Sequence, residues 1–365
     1  ISEDITGVAS VNSGAIGGRR NIVYNGEMNV AQRSASEAGL GAAAGYFTLD
    51  RYRISPTATA GRLTMAQVAD GPAGFANCLK FTTTTADASI AATEKLFLQQ
   101  KFEGQDLQQL KKGTSDAESV TVSFYVKGNA AAIYSVELKD ADNNRNNTQS
   151  FAVTTDWNRI ELTFAGDTTG ALDDDNAESL AINIWLHGGS NFTGGTYASN
   201  TWASTTDANR YAVANRTSIF DSTDRTFFIT GVQMEIGSQA TNFEHRSFGE
   251  ELALCQRYFY QDVKGVTQEI SVGWYYTSSA ISWIVNFPVP MRASPTMAYS
   301  GPTDGFTIYR DGAADNFTAL TIENVNYQYT RASMFNNNQV SGTAGQAGVV
   351  RATNAACLVS FSADL

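Results

Sequence analysis

Apolar and polar residues alternate one by one along much of this chain, the period of a strand with one face buried and the other turned outward. The clearest case is VTVSFYV, with Val120, Val122, Phe124 and Val126 on one side and Thr121, Ser123 and Tyr125 on the other. Similar runs occur at Tyr134-Val136-Leu138, Ile160-Leu162-Phe164 and Leu180-Ile182-Ile184-Leu186. Nearer the start, Ile22 and Tyr24 lead into Asn25-Gly26, a tight-turn signal, before Met28, Val30 and Gln32 resume. TLDRYRI (48–54) and LKFTTTT (79–85) read as further short strands, and a strand over 97–103 runs into a helical turn at 105–110. Phe228, Thr230, Val232, Met234 and Ile236 predict a closing strand with one shared face. Roughly eight to ten strands joined by polar turns make a β-sandwich of jelly-roll type.

Gly237-Ser238 ends the closing strand, and Ser247 stands three residues before Glu250, the spacing of a capping box. A helix follows, with Leu252, Cys255 and Phe259 on one face. Beyond it come EISVGWYY, ISWIVNF (Ile281, Trp283, Val285 and Phe287 on one side), a link broken by Pro288, Pro290 and Pro295, then GFTIYR, LTIENV and a final strand in LVSFSADL. The expected fold is all-β: a jelly-roll β-sandwich, a short helix and a second, smaller antiparallel β domain. The expected boundaries are a small, polar neck or linker over 1–20, the sandwich over 21–246, the helix over 247–260 and the distal domain over 261–365. Ile1 is an unusual first residue for a translated chain and suggests an upstream part or a processed end.

A chain of 365 residues with 42% hydrophobic content has room for two cores, and the 17% charged content with abundant Gly and aromatics suits short strands and turns. The net charge of −11 argues against nucleic acid or an anionic membrane as partner. No apolar run is long enough to insert in a bilayer, and the start lacks the pattern of a signal peptide. Cys78, Cys255 and Cys357 are far apart and form no Cys/His metal spacing, so they read as small buried residues of a protein that folds in a reducing cytoplasm.

The longest irregular stretch, 187–218, sets Phe192, Tyr197, Trp202 and Tyr211 among Gly, Ser, Thr and Asn. Aromatic faces beside amides and hydroxyls are what sugar rings need, so Tyr197, Trp202 and Tyr211 are candidate ligand contacts; alternatively, Trp202 and Tyr197 pin the loop onto the sandwich or onto a neighbouring subunit. Trp185 projects opposite to Leu180-Ile182-Ile184-Leu186 and is a candidate sugar platform or part of a covered second core. Trp274, beside Tyr275 and Tyr276, is a candidate in the distal domain, with the loops around 299–316 and 334–348. Asp173, Asp174, Asp175 and Glu178 crowd one turn and cannot flank a glycosidic bond by themselves. With two histidines, His187 and His245, and no catalytic or metal-binding motif, the sequence predicts no enzyme, cofactor or metal site.

Six segments in order, NIVYNGEMNVAQR, TLDRYRI, LQQKFEGQDLQQLKKGTSDAESVTVSFYVKG, TTDWNRIELTF, GVQMEIGSQATNFEHRSFGEELALCQRYF and FPVPMRASPT, resemble a recurrent family of bacteriophage tail-fibre and receptor-binding proteins. Within it, 21 to about 240 is similar to carbohydrate-binding modules with a galactose-binding-like jelly roll. The resemblance implies non-catalytic attachment of a virion to a host surface polysaccharide or lipopolysaccharide. It also implies a homotrimer at a tail-fibre tip, assembled in the host cytoplasm and joined to other virion proteins through its N-terminus. Leu252, Cys255 and Phe259 would suit the threefold axis, or equally a core helix. Such modules often carry paired aspartates in the closing strand, one helping to hold calcium; here Thr230-Gly231 stands there, which puts calcium in doubt. The alternative is a structural virion protein, a head fibre, capsid decoration or fibre connector, that binds only other virion proteins.

Overall fold

The inward residues of the alternating segments meet between two antiparallel sheets. The computed structural model describes residues 10–11, 14–15, 19–265 and 268–365. Most of the neck expected over 1–20 lies outside these residues, and within it β1 (Ser10–Val11) pairs with β2 (Gly14–Ala15). The chain divides into two units, residues 1–251 with Leu365, and 252–364.

The first unit holds β3 (Ser36–Leu40), β4 (Gly45–Tyr46), β5 (Arg53–Thr57), β6 (Arg62–Val68), β7 (Cys78–Thr85), β8 (Lys95–Glu103) and β9 (Val120–Gly128). It continues with β10 (Ala132–Asp140), β11 (Arg145–Val153), β12 (Asn158–Phe164), β13 (Glu178–Gly188), the one-turn helix α1 (Ser190–Thr193), β14 (Ala203–Ser204) and β15 (Thr226–Ile236). One sheet runs β14-β11-β10-β13-β8-β5-β4 and the other β12-β9-β15-β7-β6-β3. Val122, Phe124 and Val126 from one face Leu98, Val136, Ile182 and Ile184 from the other in a single buried core. Each large side chain so buried contributes ~1.5–3 kcal/mol. There are more strands than the alternation predicts, because short polar pieces such as β3, β4 and β14 have no inward apolar row to reveal them.

Two expectations are corrected here. Residues 21–34 have the expected turn at Asn25-Gly26 but no strand on either side of it. Asn25 (φ 56°) is wholly buried; its side-chain amide donates to Val30 O and Asp50 O while its Oδ1 accepts from Val30 N, so the Asn-Gly signal marks a buried turn. In β15 the buried face is Phe227, Ile229, Val232 and Met234, and Phe228 lies on the other side. The register against β9 slips between Thr230 and Gln233, and Gly231 takes φ +62° there, so one extra residue reverses the alternation half-way along. A Cβ on Gly231 would also meet the Phe75 ring at 2.8 Å.

α2 (Phe248–Gln256) starts as expected: Ser247 Oγ accepts from Glu250 N at 3.3 Å. The division between units falls inside it, at 251/252, within the expected linking stretch 247–260. Phe259 belongs to the following strand and Cys255 is wholly buried, so the predicted apolar face is mostly interior within the single chain.

The second unit holds β16 (Phe259–Lys264), β17 (Glu269–Thr277), β18 (Ala280–Asn286), β19 (Thr296–Ser300), β20 (Phe306–Arg310), β21 (Ala313–Phe317), β22 (Thr321–Val325), β23 (Arg331–Asn337), β24 (Ala347–Ala352) and β25 (Leu358–Ser362). They form a three-stranded sheet, β16-β25-β19, and a seven-stranded one, β21-β20-β24-β17-β18-β23-β22. Ile281, Trp283, Val285 and Phe287 point into its core, as their alternation predicts. Part of the expected loop at 299–316 is the hairpin β20–β21. Gly231→Ala should lower the stability of the first unit by ~2–3 kcal/mol in urea denaturation; a loss below ~0.5 kcal/mol would show that neither the φ nor the Phe75 contact constrains the bulge.

Candidate functional site

Two sheet faces carry the aromatic residues singled out from the sequence, and they differ in kind. In the first unit, the outward side of β13 presents Asn183 and Trp185, next to Phe97 of β8 and Glu137 of β10. This side is not open. The segment after β13 lies over it and delivers Phe192, Tyr211 and Val213 into a second core with Phe97 and Trp185. Tyr211 stacks on Trp185 with ring centroids 5.6 Å apart, and its hydroxyl donates to Thr217 O.

A buried charge pair fastens this roof. Arg210 donates from Nε to Glu137 Oε1 at 2.8 Å and from Nη2 to Glu137 Oε2 at 2.9 Å. Glu137 also accepts from Asn183 Nδ2 and from Trp185 Nε1. The Arg210 guanidinium sits 4.9 Å from the Trp185 ring centre. Burial pushes the Glu137 carboxyl up, but Arg210 and the hydrogen bonds outweigh it and hold the group below the usual carboxylate range.

Trp185 and Tyr211 are therefore buried and present no platform to a sugar. Trp185 takes the covered-core alternative, because the segment behind it folds back. Tyr197 is half-buried, and its hydroxyl accepts from Ser150 N at 2.9 Å. Trp202 is half-buried on the main core, donates from Nε1 to Ala165 O at 2.7 Å and lies under the Lys112 ammonium. These two pin the loop along the β11 edge. The loop is long because it closes over a sheet face.

Trp274 is different. On β17 the side chains of Val272, Trp274 and Tyr276 point away from the core and are 65%, 38% and 66% exposed. Trp274 has Ser282 on one neighbouring strand and Ala347 on the other. Such small neighbours leave the indole uncrowded. Tyr276 meets Phe335 edge-on at 6.2 Å, Val272 lies opposite Val349, and Val349 in turn opposes Tyr309. Tyr309 is 38% exposed, with the Arg351 guanidinium 4.4 Å from its ring centre. Aromatic and aliphatic surface is thus spread over several strands, with Arg351, Ser333 and Asn337 as hydrogen-bonding groups on the same side. The sequence identified Trp274 and the segments that hold Tyr309 and Phe335, but not Val272, nor that strand pairing brings these residues to one side.

The acidic turn at Asp173–Asp175 is exposed, and Glu178 pairs with Lys101 at 2.6 Å. His245 lies against Phe75 and Phe243, with Nδ1 2.8 Å from Glu27 Oε1. Thr230 donates its hydroxyl to Asn77 O and Gly231 has no side chain, so neither supplies a carboxylate for a cation. Among the described residues, the grouped metal-ligand side chains are Asp87, Glu94 and His187.

No protein-family model and no curated protein matches the chain. Among solved structures, a CBM4 module is 15% identical, covers 58% of this chain and 97% of its own, with a TM-score of 0.31. A family 11 carbohydrate-binding module from Clostridium thermocellum, in complex with a β-1,3-1,4-mixed-linked tetrasaccharide, is 12% identical over 57% of this chain and 99% of its own (TM-score 0.29). The module TmCBM61, in complex with β-1,4-galactotriose, is 12% identical over 60% and 99% (TM-score 0.30).

Removing one member of a buried ion pair costs ~3–5 kcal/mol, so Arg210→Met should destabilise the first unit by about that much at pH 7. Because the folded Glu137 carboxyl titrates below its unfolded value, its contribution is present above about pH 4.3 and is lost as pH falls through the folded value. The gap between wild type and Arg210→Met should therefore close in acid, as read by denaturant titration from pH 7 down to pH 3. A gap below ~1 kcal/mol at pH 7, or one that widens in acid, would contradict this role.

Proposed function

We propose that this chain is a non-catalytic attachment protein of a phage tail fibre that binds a host surface glycan, with the Val272–Trp274–Tyr276 side of the second unit as the contact surface. The observation that carries the reading is the open indole of Trp274, flanked by Ser282 and Ala347 and framed by Tyr276 and Tyr309. A sugar ring laid on such a surface places its CH groups on aromatic faces and its hydroxyls toward Arg351, Ser333 and Asn337. The tail-fibre role rests on the six ordered segments from Asn21 onward. A single shallow site of this kind binds weakly, and a homotrimer raises the effective affinity by presenting three copies.

One observation favours a second reading. Val272 is 65% exposed and aliphatic, and with Val349 it suits a protein partner as well as a sugar. Under that reading the chain is a structural virion protein that binds other virion proteins.

Wild type, Trp274→Ala and Tyr276→Ala should be compared on a glycan array and in adsorption to susceptible cells. The glycan reading predicts at least a tenfold loss for Trp274→Ala, with a melting temperature within ~2 °C of wild type. Adsorption and array binding that do not change in either variant would reject this surface; wild type that binds neither glycan nor cells would favour the structural reading.

A further inference from the structure

At one end of the first unit, Asp87 and Glu94 from the β7–β8 connection meet His187 near the end of β13. They are 5%, 4% and 0% exposed, and one ligand atom from each lies within 4.8 Å of the others. Among the described residues no lysine or arginine forms an ion pair with either carboxylate; beside Glu94 stands His187, with Nε2 3.1 Å from Oε2. Two carboxylates withdrawn from water, in hydrogen-bonding contact with each other and with only a histidine as basic neighbour, would gain from a positive charge between them.

The surroundings hold the three groups in place. Asp87 Oδ2 accepts from Thr59 Oγ1 and Ala60 N, both at 3.0 Å, and its Oδ1 accepts from Ser89 N. His187 Nδ1 is 2.8 Å from Ser218 Oγ, which also accepts from Phe220 N at 3.0 Å. With an ion in place of the proton between Nε2 and Glu94 Oε2, Nδ1–H would donate to Ser218 and the Nε2 lone pair would face the ion, the outer-shell arrangement that orients a metal-bound imidazole. The 3.1 Å between Nε2 and Oε2 is close to the ~3.3 Å spacing of ligand atoms set ~2.0 Å from a tetrahedral ion. A cleft of about 430 Å³ opens beside the group, walled in part by Ile90, Gly188 and Ser218.

We propose that Asp87, Glu94 and His187 bind one divalent transition-metal ion of the zinc class. One imidazole and two carboxylates suit such an ion; calcium takes six to eight oxygen ligands. The ion would neutralise the buried carboxylates and tie the β7–β8 connection to the end of β13.

The test uses the tag-free full chain, stripped with chelator and then exposed to ZnCl2, CaCl2 or MgCl2. Zinc should be retained at one equivalent per chain through gel filtration and raise the melting temperature by ~5 °C at about a hundredfold free excess over Kd, whereas calcium and magnesium should not. Glu94→Gln and His187→Gln should each weaken zinc at least tenfold. Co2+ should give a visible ligand-field band in wild type that is lost or shifted in His187→Gln, a readout of the nitrogen ligand itself. Wild type without stoichiometric zinc or a thermal shift would overturn the proposal, as would zinc affinity and Co2+ spectra identical in wild type and both variants.

Discussion

A carboxylate removed from water must be met by charge and hydrogen bonds or it drives its surroundings apart, and Glu137 is fully enclosed. The Arg210 guanidinium engages both its oxygens, while Asn183 and Trp185 occupy remaining acceptor directions. Arg210 comes from the long segment after β13, so satisfying Glu137 draws that segment across the sheet. Trp185, Phe97, Tyr211 and Phe192 then pack where a groove would otherwise stand open. The first unit is consequently a sandwich with a roofed outer face.

This explains how much of the molecule could be read from the chain. The strands at 120–126 and 180–186 were legible because a two-residue period survives wherever one face is buried. The helix start was legible because Ser247 and Glu250 carry their own local geometry. β15 was read correctly at Val232 and Met234 but misread by one position at Phe228 and Thr230, since a bulge at Gly231 shifts the phase without changing composition. The alternation at 21–34 does not form strands because Asn25 adopts a positive φ inside the fold and bonds to the Asp50 carbonyl, a partner distant in sequence.

Site residues were harder to read for the same reason. An aromatic on the outer side of a strand looks identical in sequence whether it meets solvent or a returning loop. Trp185 and Trp274 both alternate with apolar neighbours; one is enclosed by Tyr211 and Arg210, the other lies between Ser282 and Ala347. Glu137 alternates with Val136 and Leu138 and reads as an ordinary solvated charge, although its partner Arg210 stands 73 positions further on. What separates the two tryptophans is the long connection after β13, against the two-residue turn between β17 and β18.

The central claim is that the enclosed face is structural and the Trp274 face is the one available to a ligand. The five tryptophans, Trp157, Trp185, Trp202, Trp274 and Trp283, give five indole Nε1–H signals that can be followed by NMR during titration with host surface oligosaccharide. The account predicts that the Trp274 signal shifts in proportion to occupancy while Trp185 and Trp283 stay fixed. A shift of Trp185 or Trp202 with Trp274 unmoved would contradict it and return the binding site to the first unit.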